Sequence, residues 1–111
     1  MTIQQDMDSP AIAVQAAGDS AVTVAIRGEL DLATTPALSV CLERAMARHH
    51  PQSLIFDMAG VAFMDCAAAH VLIGVSRMLP GSPPPVLRHP VFAVRRVLSV
   101  TGLDVQCIIE P

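Results

Sequence analysis

The stretch SLIFDMAGVAFMDCAAAHVLIG, residues 53–74, joins a short apolar strand to an alanine-rich helix. Residues 53–58 are a nearly continuous apolar run between turn residues, which is typical of a central strand buried on both faces. Gly60 then predicts a turn, and Asp65 has the side chain of a helix N-cap. Because such strands usually have parallel neighbours reached through crossover helices, the stretch predicts an α/β fold.

The predicted helix, residues 66–79, has two different sides. At i, i+3, i+7 and i+10, one stripe can face the sheet: Ala69, Leu72, Ser76 and Leu79. The other side carries mostly small residues, which allow another protein's backbone to approach closely: Cys66, Ala67, His70, Gly74 and Arg77. Periodicity alone leaves open whether this second side is a docking surface or part of a well-buried helix.

Two strands and a helix are predicted before this stretch. Residues 11–17 and 21–31 form a hairpin pattern with a tight turn at Gly18-Asp19. Residues 35–49 form the clearest amphipathic helix, with Thr35 as N-cap and Pro36 at the first helical position. Its apolar face comprises Leu38, Cys41, Leu42, Ala45, Met46 and His49, and its polar face Glu43, Arg44 and Arg48.

After the central stretch, the pattern predicts a strand, a helix and a last strand. Residues 86–89 follow prolines that suit a strand start or a sheet edge. The helix over residues 91–101 ends at Gly102, which is well placed as its C′ residue. Residues 105–109 form the last strand. The order ββαβαβαβ therefore predicts a mixed sheet of about five strands with packed helices.

The composition indicates one small globular domain, residues 11–111, after a tail of residues 1–10. Of 111 residues, 52% are hydrophobic and 15% charged, and the net charge is −3 with no basic run, which argues against nucleic-acid binding. No apolar stretch approaches the ~18 residues of a membrane span, and no signal peptide is visible. Three widely spaced cysteines fit a reducing compartment, so we expect a cytoplasmic protein.

The sequence lacks the short motifs of the common enzyme classes. Its six glycines are isolated, which excludes a phosphate-binding loop, and neither G-x-S-x-G nor H-E-x-x-H occurs. We therefore expect no catalytic residue, no cofactor and no metal. Cys66 and His70 have the spacing of two metal ligands on a helix, but lack further ligands beside them. A thiol at a helix N-terminus favours thiolate while Asp65 opposes it, so a thiol sensor at Cys66 stays an alternative.

Three segments point to a known family: VAIRGELDLATTPAL, SLIFDMAGVAFMDCAAAHVLIG and FAVRRVLSVTGLD. In this order and spacing they resemble the STAS domain of bacterial anti-sigma factor antagonists, over residues 11–109. The resemblance implies a STAS-like sheet with helices on one side, in a binding module rather than an enzyme. Such proteins capture an anti-sigma factor, often a serine kinase with a histidine-kinase-like ATPase fold, and so release a sigma factor.

The resemblance also implies a phosphorylation switch whose acceptor is missing here. The family's usual junction is Asp-Ser-Ser-Gly with the second serine phosphorylated, whereas this chain has Asp65, Cys66, Ala67 and Ala68. Because Ala67 has no hydroxyl, we expect a protein locked in its binding-competent form. The partner-binding residues implied by the resemblance are Glu29, Asp31, Asp65, Cys66, Ala67, Ala68, His70 and Gly74.

Other functions stay open at this point. Similar stand-alone STAS domains dock on the ATPase of lipid-type transport complexes, which makes an accessory transport subunit an alternative. A thiol-based sensor using Cys66 is another. The sequence specifies neither the partner nor the oligomeric state.

Overall fold

A computed structural model describes residues 11–17 and 21–111, in which five strands and three helices follow the predicted order. The strands are β1 (Ala11–Ala17), β2 (Ala21–Leu30), β3 (Ser53–Met64), β4 (Val86–Arg88) and β5 (Ile108–Glu110). The helices are α1 (Thr35–His49), α2 (Cys66–Arg77) and α3 (Phe92–Thr101), and a 3₁₀ turn covers Leu103–Gln106. The predicted turn at Gly18-Asp19 and the tail at residues 1–10 lie outside the described residues.

The sheet is mixed, with the strand order β1-β2-β3-β4-β5. β1 pairs with β2 antiparallel, and every other pair is parallel. Each parallel connection passes through one helix, as the sequence predicts. β4 therefore lies inside the sheet, so the prolines before it mark the start of a strand and not an edge.

One face of the sheet carries the core, and all three helices contribute to it. On β3 the side chains of Leu54, Phe56 and Met58 are buried, while Ile55 and Asp57 on the other face are only half-buried. The buried side chains join one cluster with Leu38 and Leu42 of α1, Leu72 of α2, and Val94 and Leu98 of α3. The prediction that β3 is buried on both faces was therefore wrong, because the helices cover only one of them.

β3 is also twice as long as the apolar run predicts. Gly60 does not turn the chain, but pairs with Arg27 within the strand. Here a Cβ atom would overlap the Arg27 side chain, so the position requires glycine. Two register shifts leave β3 with one extra residue between Asp57 and Gly60 and another between Val61 and Phe63. Such bulges change which side chains face the core, and here they turn Phe63 outward.

The helix ends follow the sequence signals with small shifts: α2 ends at Arg77 rather than at residue 79, α3 begins at Phe92 rather than at residue 91, and α1 is shifted at its start. The N-cap is Thr34 rather than Thr35, and its hydroxyl bonds the preceding loop instead of the helix. Pro51 follows the end of α1, where His50 adopts a left-handed conformation (φ 46°). Gly102 (φ 75°) ends α3 as predicted. The predicted strand over residues 105–109 was wrong in its first half, since the 3₁₀ turn shortens it.

The core contains one hydroxyl without a hydrogen-bond partner. Ser76 on α2 is fully buried, and its Oγ finds no acceptor or donor in the part of the chain that the structure describes. A buried polar group left unpaired costs free energy because it has lost its water without a replacement. Ser76 fits the predicted buried stripe by position but not by chemistry.

We expect Ser76→Ala to raise the free energy of unfolding by about 1 kcal/mol, because the unpaired hydroxyl is removed. Urea denaturation measures this change. Ser99→Ala, at an exposed position of α3, is the control for helix propensity. An Ser76→Ala variant less stable than wild type by a similar amount would mean that the hydroxyl makes a favourable contact.

Candidate partner-binding surface

Two sequence motifs meet where β2 and β3 end. Glu29 and Leu30 of β2 pair in register with Phe63 and Met64 of β3. The backbone N–H of Asp65 then donates to the Leu30 carbonyl at 2.9 Å. The GELD segment and the FMD segment, which are more than thirty residues apart in the chain, therefore form one edge of the molecule beside the start of α2.

Asp65 caps α2. Its Oδ1 accepts a hydrogen bond from the Ala68 N–H at 2.9 Å, and its own carbonyl accepts from the Ala69 N–H at 3.1 Å. This is the arrangement expected of an aspartate N-cap, and the negative charge also interacts favourably with the helix dipole. The predicted capping role of Asp65 is confirmed.

Asp31 organises the loop between β2 and α1. Its Oδ1 accepts from the N–H groups of Ala33 at 3.0 Å and Thr34 at 3.1 Å. The Thr34 hydroxyl accepts from the Asp31 N–H at 2.9 Å and lies 3.1 Å from the Glu29 carbonyl. Asp31 is half-buried and engaged by its own loop, whereas Glu29 is exposed. Of these two predicted acidic residues, Glu29 is the one open to a partner.

The outer face of α2 is a stripe of four residues: Cys66, His70, Gly74 and Arg77. We call it the α2 stripe. Its members repeat every three or four positions, and all are exposed except Gly74, which is half-exposed. His70 folds back on Cys66, with its Nδ1 atom 3.1 Å from the Cys66 carbonyl and 3.7 Å from the Cys66 Sγ. A thiol and an imidazole therefore stand together at the start of the helix.

Ala67 and Ala68 differ in how deeply they are buried. Ala67 is half-buried at the edge of the α2 stripe, so its methyl group reaches the surface. Ala68 is fully buried in the core cluster. Ala68 was predicted to bind a partner. Its burial contradicts that prediction, because a side chain inside the core does not contact a partner. Ala68 contributes its backbone N–H to Asp65 and its methyl group to packing.

Two exposed apolar residues beside α2 escaped the sequence analysis. Leu32 follows the GELD segment and is 76% exposed, and Phe63 precedes Met64 and is 44% exposed. Both look like core residues in the sequence, since apolar side chains are normally assigned inward. Only the β3 bulge, which pairs Phe63 with Glu29, reveals that Phe63 points out.

The chemistry available at this edge is that of recognition. Within residues 11–17 and 21–111, no three His, Cys, Asp or Glu side chains are grouped to hold a metal ion. The surface combines a carboxylate at Glu29, two apolar side chains, an imidazole and a strip of small residues on a rigid helix. Such a mixture of apolar anchors with a polar rim is what protein interfaces use.

The described residues form a small mixed sheet with helices on one face, and a capped helix lies beside two converging motifs. The chain belongs to the STAS domain family, because the model of that domain matches residues 11–107. This confirms the resemblance carried by the three segments. None of the curated proteins matches this sequence. No helix in the described part of the chain is both long and apolar enough to cross a membrane.

Solved structures with the same fold include two anti-sigma factor antagonists and a variant of RsbS. One from Mycobacterium paratuberculosis is 27% identical, with a TM-score of 0.81 over 94% of this chain and 87% of that one. Unphosphorylated SpoIIAA, a Bacillus cell fate determinant, is 20% identical, with a TM-score of 0.73 over 91% and 89%. A variant of RsbS from Moorella thermoacetica is 24% identical, with a TM-score of 0.64 over 90% and 85%. The predicted STAS-like fold is confirmed.

We expect Asp65→Ala to lower the free energy of unfolding by about 1 kcal/mol, because it removes the cap of α2. Asp65→Asn keeps an acceptor oxygen and should stay within a few tenths of a kcal/mol of wild type. Urea denaturation of the three proteins provides the comparison. Equal losses in both variants would assign the effect to the charge and not to the cap.

The cysteines should differ in reactivity toward iodoacetamide. Burial, and then the nearby Asp104 carboxylate, raise the pKa of the Cys107 thiol, whose Sγ lies 3.6 Å from the Leu103 carbonyl. We expect exposed Cys66 to be alkylated first and Cys107 last, with the Cys107 rate rising as pH increases. Peptide mapping by mass spectrometry measures both. The order should disappear in urea, and early alkylation of folded Cys107 would contradict its raised pKa.

The same raised pKa predicts how pH affects stability. The unfolded Cys107 thiol ionises at lower pH than the folded one, so the folded state holds the proton more tightly. Its contribution to stability is therefore present at neutral pH and is lost as pH rises through the two pKa values.

Proposed function

We propose that this protein binds an anti-sigma factor and thereby regulates transcription that depends on a sigma factor. The contact surface combines Glu29, Leu32 and Phe63 with the α2 stripe. Ala67, at the edge of that stripe, also belongs to it. The observation that carries the proposal is the meeting of the GELD and FMD segments at a capped helix, in a chain whose fold is that of anti-sigma factor antagonists.

The partner we propose is a serine-kinase-like ATPase, and the protein itself is not an enzyme. Small residues on α2 allow close approach of a partner backbone, while Leu32 and Phe63 provide apolar area to bury. Removing such area from water yields about 25 cal/mol per Å². Glu29 contributes charge at the rim, which fits a partner with a basic patch. We place this regulator in the cytoplasm, where the partner and sigma factor act.

We expect binding to be constitutive, because the position that is usually phosphorylated in the family carries Ala67. Alanine at position 67 presents a small neutral methyl group, like the unphosphorylated state of a serine. Phosphate there would add about −1.5 to −2 charges beside Asp65, with repulsion and desolvation costs in an interface. The next hydroxyl along α2, Ser76, is fully buried and is not accessible to a kinase. Control by phosphorylation is therefore absent from this helix.

A second candidate is a thiol-based sensor at the same place. The observation that favours it is the exposed Cys66 thiol 3.7 Å from the His70 Nδ1 atom. In this reading oxidation of Cys66 replaces phosphorylation as the control of partner binding. Comparing partner affinity before and after treatment with hydrogen peroxide, in wild type and in Cys66→Ser, tests it. Equal affinities throughout would reject the sensor and leave the binding proposal intact.

Affinity capture from the native cell, with mass spectrometry, identifies the partner. We expect a kinase-like anti-sigma factor. A transport ATPase would instead support the role of an accessory subunit in a lipid-type transport complex. If neither of these proteins is captured, both readings are contradicted.

Gly74→Ala distinguishes an interface on α2 from a merely exposed helix face. No atom lies within 4 Å of an added Cβ at Gly74, so the variant should fold and gain up to about 1 kcal/mol of helix stability. If a partner backbone packs against Gly74, affinity for the captured anti-sigma factor should fall about tenfold or more through overpacking of 1–3 kcal/mol. Calorimetric titration measures this affinity. Ser99→Ala on α3 is the control, and unchanged affinity of Gly74→Ala would remove this helix face from the interface.

Restoring the missing hydroxyl tests the locked state. We expect Ala67→Ser to take up phosphate from ATP in the presence of the captured kinase, while wild type does not. Equal phosphate uptake by both proteins would place the modification elsewhere in the chain and contradict the proposed loss of control.

A further inference from the structure

A second surface lies at the opposite edge of the sheet from β5, between β1 and α1. It is a groove of about 820 Å³, and it shares no residue with the α2 stripe. Its floor is apolar and half-buried, formed by Ile12 and Val14 of β1 and Ala45 of α1. We call it the β1–α1 groove. From the sequence, its helix residues are predicted only as part of an amphipathic helix.

The rim of the β1–α1 groove is cationic. Arg44 and Arg48 lie four positions apart on α1 and are exposed, and His49 follows them. Neither arginine forms an ion pair with any residue in the described ranges, where Arg88 and Glu110 form the one that is present. Glu43, the acidic residue of α1, lines a different groove near the end of α2. Among the described residues, neither guanidinium is therefore neutralised by an ion pair.

Helix stability explains only part of this arrangement. Cations in the last turn of a helix interact favourably with its dipole, which accounts for Arg48 and His49. Arg44 lies a full turn earlier, where that effect has fallen off. Arg44 and Arg48 line the same groove, and each guanidinium is a donor suited to a carboxylate.

The adjoining strand has an open edge. β1 is the first strand in the sheet order and pairs only with β2 among the described strands. Within the described residues no strand pairs with its outer side, and addition of a strand to such an edge is one of the recurring ways in which proteins bind extended peptides. On such a strand, alternate side chains point to the helix side of the sheet, toward the arginines on α1.

We propose that the β1–α1 groove binds an extended acidic segment of a partner protein, with carboxylates at Arg44 and Arg48 and apolar side chains over Ile12 and Val14. A second copy of this chain fits less well, because the β1 sequence AIAVQAA carries no acidic residue to meet the arginines. The proposal does not depend on the anti-sigma factor assignment, since the two surfaces are separate. It gives the protein a second contact that stays available when the α2 stripe is occupied.

The test is an NMR titration of the ¹⁵N-labelled full chain with a short blocked peptide of alternating glutamate and valine. We expect amide shift changes in β1 and α1, and affinity that falls with added salt. The double variant Arg44→Gln/Arg48→Gln should weaken binding about fivefold or more, which two exposed charge pairs can provide. Arg95→Gln/Arg96→Gln, at exposed positions of α3, is the matched control and should bind like wild type.

Four results of the peptide titration would overturn the proposal. They are the absence of localised shift changes at millimolar peptide, equal binding of a lysine–valine peptide, equal loss in the α3 control, and shift changes confined to other elements. Stronger peptide binding by Asp6→Asn/Asp8→Asn would show that the chain's own first residues occupy the groove, which also overturns the assignment to a partner. Shift changes that depend on protein concentration without peptide would identify a second copy instead.

Discussion

Asp65 is the residue on which the arrangement of the surface depends. Its N–H bonds the end of β2, its carboxylate caps α2, and its carbonyl begins the helical hydrogen bonds. None of these bonds uses the side chain of Cys66 or Ala67. The two positions that follow the cap can therefore change without moving the helix.

The packing that holds α2 in place also determines which of its faces is exposed. The α2 helix buries Leu72 and Ala69 against the sheet and keeps the α2 stripe at the surface, so packing fixes the position of the helix. Leu32 and Phe63 extend that face with apolar side chains held by the Asp31 loop and the β3 bulge. A rigid surface of this kind loses little entropy on binding, because its backbone is already ordered before a partner arrives.

Most of the fold could be predicted from local signals. The faces of α1, α2 and α3, the cap at Asp65 and the stop at Gly102 follow from residue periodicity and end chemistry, which act over a few residues. The predictions were wrong where the local structure depends on contacts with residues far away in the chain. Gly60 looks like a turn until Arg27 is beside it, and Ala68 looks like a surface residue until the sheet covers it. The structure therefore brings the GELD and FMD segments together as neighbours, but it buries Ala68, one of the residues predicted to bind a partner.

By itself, the sequence determined the order of the elements, the family and the absence of a hydroxyl at position 67, because these depend on residue identity and local spacing. Tertiary structure alone decided that β3 continues through Gly60 with two bulges, that Phe63 faces outward and Ala68 inward, and that Arg44 and Arg48 line one groove with Ile12 and Val14. Strand pairing and helix packing join residues far apart in the chain. No local pattern of side chains specifies which of them will meet.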